Sequence, residues 1–362
     1  GFNNSSKENF YRSILGLAYG KTFKRNWKLT ASIYDFIQNT RIRYFYKGSE
    51  TTESKERLSS SEIHYDITVS KKWKNLFASL TGGLSTLYYH QLNMDNRSFV
   101  SMRPRLTIRY HINDRASLRY SADIVSSYPD LSLLNKVEQD IDFLQVNRGN
   151  PSLKMIRMYE NTLTFNYDTK NILFFASYDT FRSGPDVKQI VMYENNKFAH
   201  SFINNGYYNY MNPEIGLTFR GWNNTVNLKI EGGWKKYLIT GQNGINDNFF
   251  YINPDLSLYD KSFACDIYYN SYNQGDYAEL QHWEKSPVYG MTLSYKYHNF
   301  SLLIGTQNPF SAYYRTSATN LDNYKNYTYN ENRQYGKVFY LKCSFNLNFG
   351  KKHSYSDINT TK

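Results

Sequence analysis

The stretch VFYLKCSFNLNF at residues 338–349 alternates apolar and polar side chains from its start to its end. Its apolar positions are Phe339, Leu341, Cys343, Phe345, Leu347 and Phe349, and its polar positions include Lys342, Ser344, Asn346 and Asn348. A period of two residues predicts a β-strand with one apolar face and one polar face. The stretch exceeds the roughly six residues of an ordinary strand and is long enough for the ~9 to 11 residues of a tilted strand that crosses a bilayer.

The same alternation recurs along the chain, for example over residues 105–112, 117–124 and 226–231. The polar rows carry Arg, Lys, Asp and Glu in mid-strand, which requires that this face is wet. A wide barrel, with lipid outside and water or a polar filling inside, suits both faces at once. No run approaches the roughly 18 apolar residues of a membrane helix. We therefore predict an all-β protein, a transmembrane antiparallel β-barrel with about 15 strands from Tyr11 to Phe349.

Short and long connections alternate along the chain, which is typical of membrane barrels with short periplasmic turns and long extracellular loops. The predicted short turns lie at 24–26, near 74, at 113–114, around 170, at 223–224, near 260 and at 298–299, and the predicted long loops at 47–58, 91–98, 130–155, 192–205, 241–248, 274–286 and 309–335. Trp27, Trp73 and Trp222 lie beside short turns, where a periplasmic aromatic girdle is expected. This sidedness places the C-terminus in the periplasm. It also predicts further strands before Gly1, because complete bacterial barrels have an even strand number.

The composition fits an aromatic-rich barrel with polar surfaces. The chain has 36 Tyr and 23 Phe among 362 residues, but its mean hydropathy is only -0.67. The net charge of +12 does not indicate a nucleic-acid partner, because Lys and Arg alternate with apolar residues along strands and do not form a basic run. Cys265 and Cys343 stand in phase with apolar neighbours, which favours packing or lipid-facing roles over a disulfide or a metal site.

The sequence offers no catalytic arrangement. Residues 16–22 imitate a phosphate-binding loop, but one residue too few separates the glycines and the segment lies inside an alternating strand. The seven histidines show no metal-ligand spacing, and His64 and His111 fall in the polar phase of strands, as lumen residues would. We predict no enzymatic activity, no catalytic residue, no cofactor and no metal.

Any substrate site is expected in the long loops, which can vary on a rigid scaffold. The loop 130–155 has a spacing suited to a short helix that folds inward, formed by Leu131, Leu133, Leu134, Val137, Ile141 and Leu144. The loop 309–335 is rich in tyrosine, which suits stacking on sugars or gripping peptides. The predicted substrate-binding residues are Arg148, Asn150, Tyr313, Tyr314, Arg315 and Tyr327. Ordinary packing of the loops against each other is the alternative.

Two segments resemble a known family. NRGNPSLK at residues 147–154, which follows Tyr128-Pro129-Asp130-Leu131, resembles the G-N-P-x-L segment of TonB-dependent receptors, especially those of Bacteroidota. The last strand, ending at Phe349, is similar to the aromatic-terminated strand by which the barrel-assembly machinery recognises its clients. The family barrel has 22 strands, so the resemblance implies that residues 1–349 are its C-terminal part and that residues 350–362 are a short periplasmic tail. The family's N-terminal plug and TonB-contact motif are absent from this sequence.

The resemblance implies energised import across the bacterial outer membrane. A nutrient such as a glycan, peptide, siderophore or cobalamin would bind in the loops and plug, and the TonB complex, acting through the missing N-terminal region, would displace the plug. A surface lipoprotein is a further implied partner. A passive porin or a structural barrel without energy coupling remains the alternative. A secreted all-β binding protein such as a propeller would predict a sequence repeat that we do not find.

Overall fold

The computed structural model describes residues 3–47, 51–91, 96–134, 138–241, 244–271, 281–321, 324–332 and 336–346. These residues form 23 strands and three short 3-10 helices, at Lys24–Asn26, Leu131–Leu134 and Trp222–Asn224. In the part of the chain so described, no helix is long and apolar enough to cross a membrane. The predicted tail at 350–362 lies outside the described residues.

The strands, in chain order, are β1 (Asn3–Phe23), β2 (Trp27–Lys47), β3 (Thr51–Lys72), β4 (Leu76–Gln91), β5 (Arg97–Met102), β6 (Arg105–His111), β7 (Ala116–Ser127), β8 (Gln139–Asp140), β9 (Gln145–Asn147), β10 (Ile156–Asp168), β11 (Ile172–Gly184), β12 (Val187–Glu194), β13 (Lys197–Asn204), β14 (Tyr208–Gly221), β15 (Val226–Ile239), β16 (Ile245–Asp260), β17 (Phe263–Asn270), β18 (Gln281–Lys285), β19 (Val288–Tyr297), β20 (Phe300–Gln307), β21 (Tyr313–Leu321), β22 (Tyr324–Asn332) and β23 (Val338–Phe345).

One large antiparallel sheet of 16 strands contains most of the chain, in the order β1-β2-β3-β4-β6-β7-β10-β11-β14-β15-β16-β17-β19-β20-β23, with β5 pairing beside β6 on β4. Each strand therefore pairs with the previous strand of the same sheet, as in an up-and-down barrel. Because β5 and β6 pair with successive parts of β4, they act as one broken strand. Counted in this way, the sheet confirms the prediction of about 15 strands.

The break between β5 and β6 lies at Arg103 and Pro104. Proline has no N–H to donate to a strand ladder, so it interrupts the pairing. Opposite the break, the Arg103 backbone N–H donates to the carbonyl oxygen of Gly83 at 2.7 Å. A Cβ on Gly83 would lie 2.8 Å from the Arg103 carbonyl oxygen. Only glycine permits this close approach.

The register sorts the side chains onto two faces of contrasting chemistry. Leu258, Cys265, Leu293, Ile304 and Leu341 are aligned across five neighbouring strands, and we call their side the apolar face. Leu293, Ile304 and Leu341 are 45%, 50% and 67% exposed. Among the described residues these rows lie open and meet no second stacked sheet, as is typical of a lipid-facing surface.

The opposite side, which we call the polar face, is aligned with equal regularity. One row consists of Ser257, Asp266, Thr292, Gly305 and Tyr340. His64 lies on this face as predicted, within 2.7 Å of the Glu62 carboxylate. Cys265 and Cys343, on the apolar face, are both free thiols. The alternation read from the sequence is thus confirmed as two physical faces.

Every predicted short turn is a tight connection at one end of the sheet, which we call the turn end. Tight reversals need residues with positive φ, and Arg25, Asn223 and His298 supply them, with φ of 62°, 55° and 51°. Two of the three tryptophans predicted beside short turns meet here: Trp27 and Trp73 share the Lys71 ammonium, whose Nζ is 4.5 Å and 4.8 Å from their ring centres.

The other end carries the longer connections, and we call it the loop end. The predicted loop 47–58 is largely wrong, because β2 runs to Lys47 and β3 begins at Thr51. The two strands continue their register to the pair Lys47 and Thr51, so backbone pairing, which satisfies each N–H and C=O, extends where polar side chains suggested a loop. The connections 128–155, 185–207, 271–287 and 308–337 contain strands of their own.

Candidate functional site

Two small sheets stand at the loop end of the large one. The first, which we call the loop sheet, has the order β12-β13-β9-β8, and the second, which we call the tyrosine sheet, has the order β18-β21-β22. The loop sheet joins two connections that are about 50 residues apart in sequence, since β9 runs parallel to β13. β12 of the loop sheet lies beside β21 of the tyrosine sheet.

The loop sheet packs on the polar face through two apolar clusters. In the first, Val191 of β12 is buried with Tyr237, Ile239 and Phe249 of β15 and β16. Tyr237 and Phe249 are on the polar face, as is Lys235, whose Nζ lies 5.8 Å from the Phe249 ring centre. The loop sheet therefore lies against the inside wall of the predicted barrel.

The second cluster joins the loop sheet to another part of the polar face. Tyr89 of β4 is buried with Leu134, Leu153 and Val187, and its ring stacks on Phe99 of β5 at 6.3 Å. Leu134 ends the 3-10 helix Leu131–Leu134, so the prediction of a short, inward-packed helical turn in this loop is confirmed. Its predicted extension is wrong: Ile141 and Leu144 lie beyond it and are 50% and 60% exposed, while Val137 is outside the described residues.

Arg148, a predicted substrate residue, is placed between two carboxylates of the loop sheet. Its guanidinium donates to Glu138 at 3.3 Å and to Glu194 at 2.9 Å, and its backbone N–H donates to the His200 carbonyl at 3.0 Å. Its side chain is 29% exposed. The contacts tie the loop that contains β9 to the hairpin β12–β13.

Asn150, the second predicted residue of this loop, is bonded mainly to backbone. Its Nδ2 donates to the Phe202 carbonyl at 2.7 Å, and its Oδ1 accepts from the Ser152 N–H at 2.8 Å. Next to it, Lys154 and Asn204 exchange two hydrogen bonds of 2.6 Å and 3.1 Å. The segment 147–154 that resembles a family motif thus positions the loop sheet through backbone contacts.

The remaining predicted residues lie in the tyrosine sheet. Tyr313 and Arg315 are opposite Asn332 and Asn330, and Tyr327 is opposite Ala318. Because side chains alternate along a strand, Tyr327 faces the other way from Arg315. Tyr327 is 68% exposed. The backbone of Tyr314 is in β21, and its side chain lies outside the described residues. The predicted residues therefore form two separate groups, one on each small sheet.

The sequence analysis did not single out two buried polar residues of the loop sheet. His200, 8% exposed, lies between Gln145 at 3.0 Å and Gln189 at 3.2 Å. Burial lowers the pKa of His200, and the charge of Asp142 opposes the shift. Burial thus disfavours the charged imidazole, which is in a position to link β9, β12 and β13.

Lys188 is only 2% exposed, and its Nζ donates to the Thr240 carbonyl at 2.6 Å. Burial lowers the pKa of Lys188, while the charge of Asp186 opposes that shift. Burial also raises the pKa of Asp186. Lys188 and His200 lie in the two strands of the hairpin β12–β13. The sequence signal that could have revealed this hairpin is its turn, Asn195-Asn196, where both residues have positive φ. This dipeptide between alternating segments indicates a two-residue hairpin.

Below the loop sheet, the polar face is charged in mid-strand. Ion pairs cross its rows, including Arg105 with Asp123 at 3.1 Å and Lys229 with Glu231 at 2.7 Å. Arg109 and Arg119 are directly opposite each other, an arrangement that is stable only where water or a polar filling screens the repulsion. Within the described ranges, no group of three His, Cys, Asp or Glu residues is placed to hold a metal ion.

No family model matches the sequence, and no curated protein matches it. The fold is nevertheless similar to solved structures. The ferric citrate transporter FecA in its unliganded form matches with a TM-score of 0.68 and 10% identity, over 95% of this chain and 55% of that chain. The copper transporter OprC matches with a TM-score of 0.61 and 12% identity, over 85% and 53%.

The ferric yersiniabactin uptake receptor FyuA from Yersinia pestis matches with a TM-score of 0.60 and 8% identity, over 91% of this chain and 53% of that chain. The chain thus spans about half the length of the structures that it matches. All three are named as transporters or receptors. Identities of this size establish the fold alone: it resembles that of outer-membrane β-barrel receptors.

Proposed function

We propose that the protein is an outer-membrane TonB-dependent receptor that imports a nutrient such as a glycan, a peptide, a siderophore or cobalamin. The observation that carries the proposal is a fold similar to that of the ferric citrate transporter over 95% of this chain. The exposed apolar face suits lipid, and the loop sheet on the polar face suits a guarded entrance. In this proposal the loop end is extracellular and the C-terminus is periplasmic.

The partners follow from the same proposal. The TonB complex would act through a plug, and the polar filling of that plug would screen Arg109 and Arg119. The barrel-assembly machinery would bind the last strand, β23. A surface lipoprotein could cover the loop end, and a Bacteroidota origin is supported by the segment Asn147–Lys154 alone.

Substrate contact is proposed for Arg148, Asn150, Tyr313, Tyr314, Arg315 and Tyr327. Tyr327 is 68% exposed, which suits stacking on a ring-shaped ligand. Arg148 and Asn150 would act by holding the loop sheet in the shape that binds. Once a substrate is known, Tyr327→Ala should weaken its binding about tenfold, the loss of roughly 1.4 kcal/mol of stacking. Tyr193→Ala, which removes a 63% exposed tyrosine of the loop sheet, is the matched control.

The deciding experiment compares growth of the deletion strain with wild type on single sources of glycan, peptide, ferric siderophore and cobalamin, with and without a functional TonB. We expect a defect on one source that loss of TonB reproduces. Conductance of the full-length protein in a planar bilayer provides the second readout. A plugged receptor should be closed, whereas a passive porin should conduct ions and support uptake without TonB. Ion conductance together with uptake that does not need TonB would refute the importer and favour the porin.

A further inference from the structure

A long apolar groove of about 810 Å³ runs along the apolar face of β11, β14, β15 and β16. Its floor is the register row Ala176, Ile215 and Gly232. Bulky rings form its walls: Phe174 on one side, and the pair Trp234 and Phe250, stacked at 6.3 Å, on the other. The groove exists because two small residues occupy one row between rows of large ones.

A glycine keeps the floor of this groove low. A Cβ on Gly232 would lie 3.0 Å from the Tyr251 carbonyl oxygen, a tight contact with β16. The width and apolar lining suit an alkyl chain. Soluble ligands are a poor match, because the groove opens on the face that we propose to be in lipid.

Basic side chains stand above the groove on the same face, toward the loop end. Lys236 is two residues beyond Trp234 in β15, and Arg182 is six residues beyond Ala176 in β11. Arg182 is exposed and lies over the Tyr207 ring at 4.8 Å. Arg157 is diagonal to Arg182 across β10 and β11.

These cations have no carboxylate opposite them. Arg182 pairs with Tyr159 of β10 and with Asn209 of β14. Lys236 pairs with Met211 of β14 and with Asn248 of β16. In the described ranges, no ion pair involves Arg182 or Lys236. Positive charge beyond the Trp234 wall of the groove, toward the loop end, is therefore left to an external anion.

The distance of Arg182 from the turn end of the sheet places it at the level of the lipid head groups. Arg182 is ten residues beyond Ile172, the turn-end residue of β11, which corresponds to ~34 Å along the strand and ~26 Å across a membrane at a tilt of about 40°. The apolar band of such barrels is about 25 Å tall. Arg182 thus lies at the upper edge of the hydrocarbon, where head-group phosphates begin.

We propose that this groove and the basic residues above it bind an acylated outer-leaflet glycolipid with a phosphorylated head group. One acyl chain occupies the groove between Phe174 and Trp234, and Lys236 and Arg182 bind the phosphate. The inference rests on the proposed extracellular position of the loop end, but on neither transport nor TonB. An acidic protein partner is the competing occupant.

The test uses the full-length protein in detergent with lipid A as the probe, and counts bound lipid by native mass spectrometry. The double variant Arg182→Gln with Lys236→Gln should reduce retained lipid A at least tenfold, and Ala176→Phe, which fills the floor, should do the same. Arg41→Gln with Arg57→Gln removes two exposed arginines that are paired across β2 and β3.

Ala122→Phe makes the same change as Ala176→Phe on the apolar face of β7, away from the groove. Both control variants should retain lipid A as wild type does. Removing the phosphates of lipid A should abolish the difference between wild type and the double variant. Phosphatidylglycerol should bind at least tenfold more weakly than lipid A.

Several results would overturn the proposal. The first is that the double variant retains as much lipid A as wild type, and the second is that the control variants lose as much lipid A as the double variant. The third is that phosphatidylglycerol binds as tightly as lipid A. The fourth is that an acidic protein displaces lipid A and needs the same two cations to bind. A barrel that fails to fold would be recognised by loss of its heat-dependent shift on a gel, and the single variant Lys236→Gln then supplies the measurement. Because lipid binding is scored without uptake, failure here is distinct from failure of the import proposal.

Discussion

The same charged substitution should reduce the stability of the folded protein by very different amounts at two adjacent residues of one strand. Leu293 and Ser294 are neighbours in β19, and the register puts Leu293 on the apolar face with Cys265 and Ile304. Ser294 is opposite Ala264 on the polar face. We expect Leu293→Arg to destabilise the folded protein strongly and Ser294→Arg to change its stability little.

The expected magnitude follows from the position of Leu293. It lies five residues from the turn residue His298, or ~17 Å along the strand and ~13 Å across the membrane at a tilt of about 40°. This is close to the middle of an apolar band about 25 Å tall, where an arginine costs about 2–4 kcal/mol. The corresponding loss in the folding equilibrium is roughly 30- to 700-fold. Ser294→Arg projects into water and should cost less than about 1 kcal/mol.

Urea unfolding of the full-length protein, refolded into phospholipid vesicles and followed by tryptophan fluorescence, measures both variants. The two proteins should have the same denaturant slope as wild type, so that midpoints report stability directly. Equal losses for both substitutions, or a larger loss for Ser294→Arg, would refute the assignment of the faces. All inferences about lipid contact would then fail with it.

Three further outcomes are expected. Gly83→Val should cost about 1–3 kcal/mol through its clash with the Arg103 carbonyl, whereas Gly82→Val, whose Cβ would meet no atom within 4 Å, should be nearly neutral in urea unfolding. Arg148→Met should leave two glutamates of the loop sheet without their cation and speed limited proteolysis of residues 138–155, with little change in the barrel midpoint. Burial lowers the pKa of His200, so the unfolded loop sheet binds more protons. Its stability should therefore fall as the pH drops from about 6.5 toward the folded-state pKa. Hydrogen exchange in β13 should detect this fall, and His200→Gln should remove the pH dependence; persistence of the dependence would exclude His200 as its source.

The strands of the large sheet could be predicted because apolar and polar residues alternate within each strand. In β15, Leu228 and Ile230 alternate with Asn227 and Lys229, and this local pattern alone assigns both faces. The ends of strands were predicted less well. Residues 51–58 look like a polar loop by composition, but β2 and β3 continue to pair there, since backbone hydrogen bonds hold two strands together even where neither face is apolar.

The loop sheet could not be predicted in the same way. β9 has three residues and β8 two, too few for any periodicity, and the pairing of β9 with β13 joins segments that have no sequence relation. Leu134 and Leu153 were visible as apolar loop residues, but their common partner Tyr89 lies in β4. Such contacts depend on the closure of long loops and are decided by tertiary packing, which a local pattern does not record.

The loop sheet also bears on the choice between an importer and a passive porin. In the proposed importer, a solute that enters along the polar face from the loop end would meet a sheet fixed to the wall by two apolar clusters, around Tyr237 and around Tyr89. Opening that path by displacing the sheet would expose buried side chains such as Val191 and Leu134, each worth about 1.5–3 kcal/mol, and would free the buried Lys188. In the importer proposed above, ligand contacts on the loop and tyrosine sheets would offset that cost, and the entrance would then open in response to the substrate.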